Sequence, residues 1–164
     1  METLTKSQLS VDEAKAEFTR STDRLKKAYA ATPDDKINWS PSATSRTATE
    51  LVAHSAMSIT GLQGWLAGQP FPFESMAALD EYCRKEEKNF TTREAVTGLL
   101  DENSAKFVTF LDSLSQETLG SMFATQMGTF PMMTAITFPA DHSRSHAAQI
   151  DYLQTIYGDR EMHM

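Results

Sequence analysis

The sequence lacks three features that would assign it to a specialised class of protein. It contains one cysteine among 164 residues, so no disulfide can form within the chain, and a reducing compartment fits this composition. No stretch approaches the roughly 20 apolar residues that a membrane-spanning helix needs. The N-terminal sequence METLTKSQLSVDEAK contains no apolar core like that of a signal peptide. These absences predict a cytoplasmic protein.

Clustered positive charge is also scarce. The chain carries 15 Lys and Arg against 22 Asp and Glu, a net charge of −7, and its densest basic group is Arg24, Lys26 and Lys27. Affinity for nucleic acids and anionic membranes comes largely from neutralising phosphates, so we expect neither as a partner. The 40% hydrophobic content is ordinary for a globular protein. The length predicts a single domain over residues 1–164.

Apolar residues recur at helical spacing in four long segments, over about residues 10–31, 47–67, 92–114 and 131–157. Capping boxes are predicted at the starts of the first three, formed by Ser10 with Glu13, Thr47 with Glu50 and Thr91 with Glu94. No segment alternates convincingly, so we predict no sheet, and Met122–Phe130 is the one ambiguous stretch. Pro139 interrupts the fourth segment and predicts a kink just before His142.

About two dozen residues, Gly68 to Thr91, separate the second helix from the third, and Met76–Lys88 within them can form a short charged helix. A connection of this length can cross a bundle, so the two helices it joins need not be antiparallel. The pattern predicts an all-α protein with the architecture of a four-helix bundle.

Three of the four histidines fall on predicted helices. His142 and His146 are four residues apart, which places both rings on one face of the fourth helix, where two nitrogens can reach one ion. His54 lies at the edge of the apolar stripe of the second helix and can face the same crevice. Three neutral imidazoles with an open position are typical of a catalytic metal site. His163 is predicted to lie in the C-terminal tail.

Each of these residues also has a plainer interpretation. His142 and His146 can be exposed, or each can have a separate hydrogen-bond partner. A lone histidine such as His54 is more often a capping or core residue. Glu50 can bond the ring of His54 or simply cap its helix. Gln149, three residues after His146, can orient a ligand or line the pocket, although we favour its interpretation as an ordinary surface glutamine. Cys83 is no evident nucleophile, although Arg84 and Lys85 can lower its pKa. The run RKEEK is interpreted as a solvated helix face, and Tyr152, Tyr157, Phe107 and Phe110 as core.

Two passages, INWSPSATSRTATELVAHSAMS and DHSRSHAAQIDYLQTIYG, together with the order of the helices, resemble the DinB-like (YfiT-like) family of metalloenzymes. The resemblance implies a four-helix bundle with up-down-down-up connectivity. It also implies one divalent metal ion, typically nickel or zinc, bound at His54, His142 and His146. Members with known activity include thiol-dependent transferases and isomerases that use bacillithiol or mycothiol. Pro139, Ala147 and Ala148 depart from the family pattern, which often has Arg and Gly at the two alanines.

The leading hypothesis for function is therefore a metal-dependent enzyme, a transferase or hydrolase, that acts on a small-molecule substrate. More specifically, we predict a thiol-dependent S-transferase that uses a low-molecular-weight thiol as its cofactor. No catalytic residue is assigned. The alternatives are a non-catalytic metal- or ligand-binding bundle, with a stress-related role, and a bundle whose histidines bind no metal. The Met-rich segment Met122–Met133 predicts a homodimer.

Overall fold

The computed structural model describes residues 10–163. Residues 1–9, which include most of the N-terminal segment without a signal-peptide core, and residue 164 lie outside the described residues. The elements in chain order are helices α1 (Val11–Ala30), α2 (Ala48–Leu66), α3 (Met76–Glu87), α4 (Arg93–Asp112) and α5 (Gln116–Leu119), strands β1 (Met122–Thr125) and β2 (Gly128–Pro131), and helices α6 (Met132–Ala135) and α7 (Phe138–Ile156). None of the helices in this range combines the length and apolar character that a bilayer crossing requires.

Side-chain caps fix the starts of the long helices. The predicted capping boxes of α1 and α2 are present, with Ser10 and Thr47 each bonded to a glutamate three residues later. The prediction for α4 is wrong by one residue. Thr92, not Thr91, has the extended backbone of a cap, so its side chain accepts from Ala95 N and Glu94 takes no part.

The four long helices α1, α2, α4 and α7 pack as a bundle, as predicted. Ion pairs show the directions of the helices. Along α1, the partners on α4 have decreasing residue numbers (Lys15–Asp112, then Lys26–Asp101), so α1 and α4 are antiparallel. The partners on α7 have increasing residue numbers (Glu17–Arg144, then Arg24–Asp151), so α1 and α7 are parallel. Helix α2 runs opposite to α7, because Ser55 meets Ser143 while Leu51, one turn earlier, shares a cavity with Leu153. The directions are therefore up-down-down-up, and the residues between α2 and α4 carry α3.

An aromatic cluster holds the connection that follows α2. Trp65 at the end of α2 packs against Phe71 at 5.3 Å and against Phe123 of β1 at 5.5 Å between ring centroids. The contacts continue through Phe73 to Tyr82 of α3 at 5.7 and 5.2 Å. Since aromatic pairs at such distances add to the free energy of area burial, this cluster fixes the start of α3 against the bundle.

Strands β1 and β2 correct the prediction that the chain has no sheet. They pair antiparallel through a turn in which Gly128 has a φ of +138°, a conformation that L side chains rarely adopt. Each strand has four residues, which is too short for alternation to stand out in the sequence. The Met-rich segment is divided: Met132 is buried, whereas Met122 and Met127 on the hairpin are exposed. The homodimer stays a prediction.

Two predictions for the fourth long helix are wrong. The segment does not form one kinked helix, because α6 ends at Ala135 and α7 starts at Phe138, which puts Pro139 in the first turn. A proline fits there because its missing N–H has no intrahelical partner to lose. Tyr152, predicted to be core, is 70% exposed, since two residues after the buried Ile150 it faces the opposite side of the helix.

The position of Pro139 gives a prediction about stability. Replacing it with Ala (Pro139→Ala) should lower the free energy of unfolding by about 0.4–1 kcal/mol, because the unfolded chain gains backbone freedom. Ala148→Pro, in the interior of the same helix, should cost about 3 kcal/mol or more. Urea unfolding followed by circular dichroism measures both values. A stability gain from Pro139→Ala would show that the proline strains the helix.

Candidate metal centre

The close approach of α2 and α7 brings the histidines together. Ser55 and Ser143 are fully buried and their hydroxyl oxygens lie 3.0 Å apart, which joins the two helices in the core. Small neighbours on both helices, including Ala56 and Ala147, leave room for this contact. His54 and His142 each precede one of these serines, so both rings enter the same crevice.

The three imidazoles form a compact group. Ring centroids lie 5.1 Å apart for His54 and His142, 4.9 Å for His54 and His146, and 4.4 Å for His142 and His146. One nitrogen from each ring lies within 4.8 Å of the others. The Nε2 atoms of His142 and His146 are 3.0 Å apart, close to the separation of about 3.3 Å for two nitrogens on one tetrahedral zinc at 2.0–2.1 Å.

Hydrogen bonds on the far side of two rings set the direction of their lone pairs. Glu87 Oε1 accepts from His54 Nδ1 at 2.6 Å, and Gln149 Oε1 accepts from His146 Nδ1 at 2.7 Å. Carboxylate and amide oxygens can only accept, so each Nδ1 holds the proton and each neutral ring has its lone pair on Nε2. The two residues therefore leave the Nε2 atoms of His54 and His146 unprotonated and able to accept a hydrogen bond or bind an ion.

Glu87 is the residue that sequence reasoning missed. It belongs to the run interpreted as a solvated face, yet it is 1% exposed and bonds both His54 and Arg46, whose Nε donates to Oε2 at 2.7 Å. Burial opposes ionisation of Glu87, but these two hydrogen bonds outweigh it and its pKa is lowered, so it remains a carboxylate. The available signal was Cys83, a residue type usually buried, which lies one helical turn before Glu87 on the same face.

The structure decides between the alternatives for Glu50 and contradicts the favoured interpretation of Gln149. Glu50 stays in its capping box with Thr47 and does not bond His54. Gln149, interpreted as an ordinary surface residue, lies on the exposed side of α7 but reaches back to His146, because three residues on a helix bring side chains into contact. His163 bonds Asp159 at 2.8 Å and takes no part in the cluster.

Burial keeps the α7 histidines neutral. It lowers the pKa of His142 to about 3, with the charges of His146 and His54 adding to the effect. Burial also lowers the pKa of His146 to about 4, against the hydrogen bond with Gln149. Neutral imidazole is the form that binds metal ions, so both rings are in the ligating form at neutral pH.

A second group that could hold an ion joins His54, Cys83 and Glu87. Two observations count against an ion at this position. Burial, followed by the charge of Glu87, raises the pKa of the Cys83 thiol, contrary to the prediction from its basic neighbours, and metals bind the thiolate. The guanidinium of Arg46 already holds Glu87 and would repel a cation. We therefore interpret this group as the support of His54.

The lowered histidine pKa values predict how stability depends on pH. Because the folded pKa values of His142 and His146 lie below about 6.5, the unfolded chain binds protons first. Their contribution to stability is full above that pH and is lost as the pH falls. In metal-free protein, each ring should lower the free energy of unfolding by up to about 1.4 kcal/mol for each pH unit of acidification. Urea unfolding between about pH 7 and 5 should give His142→Gln roughly half the slope of the wild-type protein, because one of the two rings remains. Equal slopes would contradict burial of a neutral ring.

Comparisons with known proteins bear on this arrangement. A family model described as the DinB superfamily matches residues 17–150, and no curated protein matches in sequence. YfiT from Bacillus subtilis, described as a probable metal-dependent hydrolase with an unusual four-helix bundle topology, superposes with a TM-score of 0.69 at 18% identity, covering 96% of this chain and 92% of its own.

A second solved structure extends the comparison. The mycothiol-dependent maleylpyruvate isomerase superposes with a TM-score of 0.70 at 17% identity. The superposition covers 90% of this chain but only 63% of the isomerase. Likeness at such identity concerns the fold, and it confirms the bundle predicted from the sequence. Because the family model covers most of its length, the chain belongs to the DinB superfamily.

Proposed function

We propose that the chain is a metal-dependent enzyme in which His54, His142 and His146 hold one divalent ion. The observation that carries the proposal is the convergence of three nitrogens within 4.8 Å, two of them on rings whose Nδ1 atoms donate elsewhere. Imidazole nitrogen suits zinc and nickel among the divalent ions. The buried, neutral state of two of the rings fits this role.

The number of ligands favours catalysis over a structural or storage role. Within residues 10–163, the group contains the three histidines and no cysteine or carboxylate as a fourth member. Structural zinc sites use four protein ligands, whereas catalytic sites leave a position for substrate or water. When bound, the ion supplies Lewis acidity, which makes a small thiol or a water acidic at neutral pH.

The side chains near the cluster favour a nucleophile that comes from outside the chain. Cys83 is buried and its raised pKa keeps it protonated. Ser55 and Ser143 are buried, and their hydroxyl groups are bonded to each other. A low-molecular-weight thiol or a water must then supply the nucleophile. We propose thiol-dependent transfer onto a small-molecule substrate, supported by the likeness to a mycothiol-dependent isomerase; the likeness to YfiT supports hydrolysis as the second candidate.

Metal content tests the ligand set. His54→Ala, His142→Ala and His146→Ala should each lose most of the metal from untagged protein, because each removes one of three protein bonds. His163→Ala should retain it. Elemental analysis gives the stoichiometry, and consumption of N-acetylcysteine with a panel of electrophiles then tests thiol transfer. Full metal content in the three ligand variants would refute the site.

Glu87 gives a second test, which does not depend on activity. Glu87→Gln removes the negative charge that supports His54, so zinc affinity should fall by about 10–100-fold. Glu81→Gln, an exposed change on the same helix, should leave affinity unchanged. Competition with a zinc-binding dye measures both values. Equal affinities for the two variants would show that the carboxylate does not support the site.

A further inference from the structure

A cavity of about 470 Å³ lies beside the histidine cluster, within the usual size range for small-molecule sites. It is bordered by the loop before α2, by α3 and by the last turns of α7. Two of its lining residues also support the cluster: Gln149 bonds His146, and Arg46 bonds the Glu87 that holds His54. The cavity therefore adjoins the proposed metal site.

We propose that this cavity binds a small organic carboxylate that has an apolar body. The proposal rests on the proposed function for its role as a substrate site, although binding itself requires no ion. It names the class of substrate that the same site would accept.

The charges of the lining favour an anion. Arg46 and Arg84 line the cavity and no Asp or Glu does, in a chain whose net charge is −7. The carboxylates of Asp80 and Glu87 pair with these arginines but are not part of the lining. A ligand in the cavity would therefore contact guanidinium groups and no lining carboxylate.

Each arginine keeps one nitrogen available. Arg46 uses Nε and Nη2 to bond Glu87 and Asp80, and Arg84 uses Nε and Nη1 to bond Asp80 and the carbonyl oxygen of Thr44. Among the described residues, Arg46 Nη1 and Arg84 Nη2 have no hydrogen-bond partner. These bonds hold both guanidinium planes in place, so a carboxylate can bind without the full entropic cost of ordering them.

The opposite side of the lining is apolar. Tyr152 and Ile156 are one helical turn apart on α7 and are 70% and 45% exposed, so both side chains are accessible to a ligand. Leu51 and Leu153 lie beside them in the same cavity. An apolar body placed here would cover Tyr152 and Ile156, while its carboxylate reaches the arginines.

The test uses the metal-free full chain, so that a carboxylate cannot bind an ion. The probes are 3-phenylpropionate and its uncharged match, 3-phenylpropanamide, measured by calorimetry and by nitrogen–proton NMR shifts. The carboxylate should bind about tenfold more tightly, with shifts in residues 42–46 and 148–156. Inorganic phosphate, which lacks the apolar body, should bind more weakly than 3-phenylpropionate. Equal binding of the two organic probes, or tighter binding of phosphate, would overturn the proposal.

Variants assign the two halves of the cavity. Arg84→Gln should reduce the preference for the carboxylate, because only Arg46 then remains to bind it, whereas Arg20→Gln, on the exposed side of α1, should keep the full preference. Tyr152→Ala should weaken both organic probes to a similar degree. An unchanged preference in Arg84→Gln would overturn the assignment. Metal content is measured separately, so the two proposals can fail independently. Protein that binds no metal but prefers the carboxylate probe would refute the proposed function alone. Protein that binds metal but shows no preference for the carboxylate probe would refute the cavity proposal alone.

Discussion

A buried negative charge controls the arrangement around the histidines. Removing a carboxylate from water costs several kcal/mol unless charged or polar groups surround it, and Glu87 is 1% exposed. Arg46 and His54 satisfy its two oxygens. Three separate parts of the chain, α3, the loop before α2 and α2 itself, must therefore be in place together. Moving any one of them would leave a charge or a donor without its partner.

This requirement links the fold to the chemistry. The aromatic contacts from Trp65 to Tyr82 hold α3 against the bundle, and α3 in turn presents Glu87 to His54. The same arginine that neutralises Glu87 also lines the adjoining cavity. Orientation of the His54 ring, neutralisation of a buried acid and the proposed recognition of an anion thus involve one guanidinium group, that of Arg46.

The sequence predicts those parts of the structure that depend on local spacing. Capping residues, apolar stripes and the four-residue interval between His142 and His146 are visible without coordinates, because each follows from helix geometry. Partners brought from distant segments are not visible in this way. Glu87 lies 33 residues from His54, and its neighbours in the run RKEEK read as solvated. The kink predicted at Pro139 is wrong because, in a long amphipathic segment, the sequence does not distinguish a proline near a helix start from one inside a helix.

Two of the three clustered histidines come from α7 and one comes from α2. His142 and His146 share one helix, so the backbone of α7 fixes their spacing. His54 stands on another helix and depends on a carboxylate from a third. If the three histidines hold an ion, the positions of His142 and His146 would depend on α7 alone, whereas the position of His54 would also depend on α3 through Glu87. The aromatic contacts that hold α3 would therefore support one of the three proposed ligands and not the other two.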